Sequence, residues 1–153
     1  MPSVSLDAST FTHQSTSKMS SDIPSLLLAS LQPSTRKQAE ASLASLSVQP
    51  GFILALLRLV LDERGGERAV RLAGGVYLKN LVKLRWEEDI NPISEQDKVA
   101  LRAELVPGMI MLSNPADRTI RAQVAESVSL IAELDFPGKW ENLIDVRSSH
   151  LWV

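Results

Sequence analysis

Apolar residues in this chain recur at three- and four-residue steps, and short breaks marked by Pro, Gly or Asn separate the periodic stretches. That spacing belongs to amphipathic helices, whereas few stretches alternate with the two-residue period of a half-buried strand. The pattern predicts seven helices. The first covers 22–31, with Asp22 as its cap, Pro24 in its first turn and Pro33 just beyond its end. Ser34 is expected to cap a second, 35–46, with Ala39, Leu43 and Leu46 inward. Pro50 and Gly51 turn the chain into a third, 52–61, with Phe52, Leu56, Leu59 and Val60 inward, and Gly65-Gly66 closes it. Ser94 caps a fifth, helped by Asp97 three positions on, with Val99, Leu101, Leu105, Ile110 and Leu112 apolar. Pro107 lies inside that pattern and is expected to kink or split it. A sixth covers 117–134, with Ile120, Val124, Val128, Ile131 and Leu134 on one stripe, and a seventh is expected from Pro137 to Leu143.

The fourth helix, 68–86, is the most informative. Ala69, Leu72, Ala73, Val76, Tyr77, Asn80, Leu81 and Leu84 fall on one face, which the periodicity assigns to the core. Arg68, Arg71, Gly75, Lys79, Lys83 and Trp86 fall on another, which reads as a basic stripe turned away from the core. Ala73, Gly74 and Gly75 lower helix propensity, by about 1 kcal/mol per Gly relative to Ala. A helix tolerates such residues where another backbone comes close.

The helices pair as one–two, three–four and five–six across short turns, with the seventh left over. The pairs begin near residues 22, 50 and 94, within the range of two-helix repeats. The expected fold is therefore all-α, a right-handed solenoid of antiparallel helix pairs. Residues 1–21 are rich in Ser and Thr without a hydrophobic period and are expected to be disordered. Residues 146–153 show no repeat pattern.

Composition narrows the function. A formal charge of −2 argues against a dedicated nucleic-acid binder. The absence of Cys removes disulfide and thiolate chemistry, and no apolar run approaches the roughly 20 residues of a membrane span. His13 and His150 are isolated, and the Gly pairs lack the spacing of a phosphate loop. No constellation for catalysis, metal or cofactor emerges, and the chain is expected not to be an enzyme.

Specific residues then carry a resemblance. Pro33, Arg36, Ala39-Glu40, Leu43 and Leu46 resemble the first-repeat signature of the importin-β superfamily of transport receptors. Val70-Arg71-Leu72-Ala73 followed by Tyr77-Leu78-Lys79-Asn80 is similar to the same domain's V-R-x-x-A-x-x-x-L-K-N helix, and Trp86 falls where several members have K-x-x-W. Asp135-Phe136-Pro137-Gly138-Lys139-Trp140 with Leu143 looks like the segment that opens a following repeat. Within the superfamily the match is best to the exportins that return importin-α to the cytoplasm, with import receptors sharing much of it. The resemblance covers roughly 22–145 and implies HEAT repeats. It also implies that the second helix of each pair lines a concave surface that binds the small GTPase Ran in its GTP form. On that basis Lys79 is the first candidate for a Ran contact, because it matches the motif lysine; Lys83 and Arg71 follow by helical geometry. Importin-α is the implied cargo of full-length members, the nucleus and cytoplasm the implied locations, and a monomer the expected state. Members are several times longer, and their cargo binding draws on later repeats.

Overall fold

The computed structural model describes residues 8–141 and 143, with side chains from Ser17 onward. Its elements are α1 (Ala8–Ser30), α2 (Arg36–Ser47), α3 (Phe52–Leu61), α4 (Arg68–Arg85), α5 (Glu95–Met111), a 3-10 turn at Pro115–Asp117 and α6 (Arg118–Asp135). Among the described residues every regular element is helical, and no single helix is long and apolar enough to cross a membrane. The breaks are the ones the sequence marks. Gly51 takes the left-handed conformation before α3, where its lack of a Cβ makes that turn accessible. Ser94 Oγ accepts from the Asp97 amide at 3.2 Å and caps α5.

Consecutive helices pack as α1–α2, α3–α4 and α5–α6, and the pairs then stack, α1 on α3 on α5 and α4 on α6. Polar contacts show how they stack. The Gly51 amide donates to Asp97 at 3.3 Å, Arg58 meets Glu104 at 3.3 Å, Arg71 meets Asp117 at 3.1 Å, and Trp86 Nε1 donates to Asp135 at 3.1 Å. Each joins residues 46 or 49 positions apart. Starts meet starts and ends meet ends, so α3 runs parallel to α5 and α4 parallel to α6, as successive repeats do. One apolar core runs through the stack from Ile23 and Leu27 of α1, through Leu56 and Val60 of α3 and Leu78 of α4, to Leu101, Leu105 and Ile131.

Three expectations are corrected. Helix α1 begins at Ala8 rather than Asp22, so 8–21 are helical and not disordered; within it Met19, Ile23 and Leu27 recur at four-residue steps and are all buried. Residues 1–7 lie outside the described residues. Pro107 does not split α5, which runs through it to Met111. No helix starts at Pro137: residues 136–139 form a turn. Of the expected 137–143 only residue 142 lies outside the described residues, and Leu143 alone is helical; the tail at 146–153 lies outside them altogether.

Candidate functional site

Helix α4 sits between α3 on one side and α6 on another, and its buried face differs from the one the periodicity assigns. Val70, Gly74, Leu78, Leu81 and Val82 are buried, together with Arg71, Gly75 and Trp86. Gly74 and Gly75 make that packing possible. A Cβ at Gly74 would stand 3.0 Å from Val60 Cγ2, and one at Gly75 would stand 3.3 Å from Gln123 Cβ. The close approaches inferred from the small residues are thus to α3 and α6, on the face expected to look outward.

Arg71 is the clearest consequence. It is 2% exposed. Its Nε donates to the Val60 carbonyl at 3.1 Å, and its Nη1 reaches both carboxylate oxygens of Asp117 at 3.1 Å. Arg68 Nε donates to Asp117 as well, at 3.0 Å. Hydrogen bonding from Arg68 first, then from Arg71, holds the Asp117 carboxyl below the ordinary carboxylate range, against burial that pushes it up. At the other end of the helix Trp86 is buried. Its Nε1 donates to Asp135, Arg102 pairs with the same carboxylate at 2.7 Å, and the Lys98 ammonium lies 5.4 Å from the Trp86 ring centroid. Two buried aspartates, one at each end of α6, therefore fix both ends of α4. The sequence marked Asp135 only as part of the Asp135–Trp140 segment, and it assigned Asp117 and Glu126 no role.

Of the three candidate contacts, Arg71 is thus buried in an ion pair rather than separable from the core. Lys79 is 21% exposed along its side chain and lies 3.8 Å from Glu126 of α6. Lys83 is exposed on the same flank one turn further on. Both lysines lie on α4 beside α6.

The face expected in the core lines an open groove between α4 and the α1–α2 pair, with a volume of about 750 Å³. Leu27, Leu31 and Leu43 form one wall, and Leu72, Val76, Tyr77 and Leu84 form the other. Leu84 is exposed, and so is Asn80, although the periodicity assigned both to the core face. Tyr77 is half-buried, packs edge-on to Phe52 at 6.1 Å, and has its phenol pushed up chiefly by burial. Trp140 is buried in the core. Arg85, near the end of α4, ties that helix to the end of α2 by donating to Ser47 Oγ at 2.9 Å and to the Ser47 carbonyl at 3.2 Å. The arrangement offers apolar area, two cations on one flank and a rigid backbone. It brings together no nucleophile, base and oxyanion donors, and among the described residues no three His, Asp or Glu side chains are grouped to hold a metal ion. Its chemistry is that of a binding surface.

Known proteins resemble this chain in the same region. The family model described as importin-beta N-terminal domain matches residues 39–111. The protein named importin alpha re-exporter of Saccharomyces cerevisiae is 35% identical over 131 residues, 84% of this chain and 13% of that protein. Exportin-2 of Homo sapiens is 34% identical over 115 residues, 73% of this chain and 11% of that protein. The solved structure titled as the exportin Cse1 in its cargo-free, cytoplasmic state matches with a TM-score of 0.76 at 31% identity, over 86% of this chain and 14% of that one. The chain thus spans between a tenth and a seventh of the length of these relatives, and its stacked pairs are those of a HEAT-repeat solenoid.

Proposed function

Residues 39–111 of this chain belong to the importin-beta N-terminal domain family, and we propose that the protein serves as the N-terminal part of a nuclear export receptor that binds Ran in its GTP form. The relatives' names supply the cargo side of that reading: the receptor returns importin-α to the cytoplasm and moves between nucleus and cytoplasm. The repeat domain is taken to cover 22–145 together with the earlier turns of α1, with 146–153 outside it.

The observation that carries the reading is the position of the Leu-Lys-Asn segment. Lys79 and Lys83 stand on the second helix of a pair, on its α6 side, and the same helix turns Leu72, Val76 and Leu84 into an open apolar groove on its α1–α2 side. Cations at the edge of apolar area suit an acidic GTPase surface, where they raise the encounter rate and fix orientation while the apolar contacts supply most of the affinity. Arg71 has a different part in this reading. It holds α4 against α6 and so sets the angle at which the lysines are presented.

The site is tested by titrating GTP-loaded Ran against the wild-type chain and a Lys79→Ala, Lys83→Glu double variant at two salt concentrations. The variant is expected to bind more weakly and with less salt sensitivity, at unchanged helical content, since Lys83 is exposed and Lys79 only part-buried. Exposed charge pairs contribute about 0–1 kcal/mol each, so either substitution alone is expected to do little. A double variant that binds as the wild type does would remove the lysines from the site.

A further inference from the structure

The two lysines on the α6 side of α4 are not in the same electrostatic state. Contacts between α4 and α6 keep a nearly constant offset of 46 to 49 residues: Arg71 meets Asp117, and Trp86 meets Asp135. At that offset Lys79 stands opposite Glu126, with Nζ 3.8 Å from Oε2. The same step brings Lys83 level with Leu130, which carries no charge. Lys79 therefore has a carboxylate beside it. Among the described residues no ion pair or hydrogen bond reaches the Lys83 side chain.

Glu126 is placed differently from the two aspartates that fix α4. Asp117 and Asp135 are buried and closely bonded, whereas the Glu126 side chain is 56% exposed and its contact is long. One turn away on α6 stand Ala122, Gln123, Ser129 and Leu130, so no cation of its own helix competes for it. An exposed pair at that distance adds little to stability. Glu126 is thus not needed to hold α4 on α6, which the two buried aspartates already do. What it changes is the charge on offer. Lys79 and Lys83 are four residues apart, so their ammonium groups repel, and Glu126 offsets one of them.

We infer that Glu126 is a built-in competitor for Lys79. It holds the ammonium while the surface is free, and a carboxylate of the partner must displace it to gain that contact. Lys83 then acts first, attracting an acidic surface from a distance. Lys79 selects, because only a surface with a carboxylate placed to take over from Glu126 engages both lysines, while any other meets an unfavourable acidic side chain. The acidic partner is taken from the Ran reading above; the competition rests on the α4–α6 geometry.

The test is a double-mutant cycle in the full chain: wild type, Glu126→Gln, Lys79→Ala and the two combined. Each is titrated at two salt concentrations with GTP-loaded Ran and, separately, with a fluorescein-labelled octaglutamate peptide. Glu126→Gln is expected to tighten binding of both probes about two- to fivefold, with a steeper salt dependence and unchanged helical content. In the Lys79→Ala background the same substitution is expected to give a clearly smaller gain, since only the general loss of a negative charge remains. Equal gains in the two backgrounds, no gain or a loss beside an intact Lys79, or failure of the peptide to bind any variant would each overturn the inference. Coupling seen with the peptide while Ran binds none of the four would support the competition and overturn the Ran reading instead.

Discussion

Arg71 of α4 places one guanidinium nitrogen 3.1 Å from each carboxylate oxygen of Asp117, and neither residue is more than 2% exposed. This pair joins the second repeat to the third, and it does so at the point where the chain enters α6. Further bonds support it: Asp117 has Arg68 as a second partner, and Arg71 has the Val60 carbonyl, while Arg71 Nη2 is buried without a hydrogen-bond partner. Removing one member leaves a buried charge without its counterion, which costs about 3–5 kcal/mol. Asp117→Ala is therefore expected to lower the urea midpoint sharply, whereas a shift under 1 kcal/mol would mean that Arg71 finds another partner.

The same pair sets an acid limit. The folded-state pKa of Asp117 lies below its ordinary value of 3.8, so the unfolded chain takes up the proton first as pH falls. The stabilisation is complete above that ordinary value and is lost as pH drops through the folded-state value. Between pH 5 and 8 this group contributes no slope. Urea midpoints measured from pH 6 down to pH 2.5 are expected to fall more steeply for wild type than for Asp117→Asn, and parallel curves would contradict the assignment.

Trp86 anchors the opposite end of α4. Trp86→Phe keeps most of the buried ring but removes the Nε1 donor to Asp135, leaving that carboxylate with Arg102. A lost bond to a charged acceptor costs about 1.5–3 kcal/mol. Chemical denaturation followed by far-ultraviolet circular dichroism is expected to show a loss in that range, and a neutral result would place the anchor in the Arg102 pair alone.

Gly75 has no room to grow. A Cβ there would press on Gln123 of α6, and a larger side chain would push α4 and α6 apart. Gly75→Leu is expected to destabilise by at least about 1–3 kcal/mol through overpacking, measured as a lower thermal midpoint. A variant as stable as wild type would show that the two helices separate without cost.

Helix boundaries were legible because Pro, Gly and Ser punctuate them: α3 starts and ends where the pattern puts it, and Ser94 caps α5. The start of α1 was missed because its first turns are Ser- and Thr-rich, although Met19 already continued the Ile23–Leu27 step. The faces of α4 were not legible for a stronger reason. Apolar residues occur on two of its sides, and periodicity cannot say which side another helix will cover. Leu72, Val76 and Leu84 made the more conspicuous stripe, yet Gly74 and Gly75 marked the side where backbones meet. Arg71 read as part of an outward basic stripe because its burial depends on Asp117, which lies 46 positions away in sequence.

The central claim is that this helical surface distinguishes the nucleotide state of Ran. The most direct measurement is a pair of titrations of the wild-type chain, one with Ran loaded with GTP and one with Ran loaded with GDP, at a single moderate salt concentration. The account predicts weak but saturable binding of the GTP form and markedly weaker binding of the GDP form, since the chain spans 14% or less of its relatives and carries only part of their repeats. Equal affinity for the two forms, or no binding of the GTP form, would contradict it.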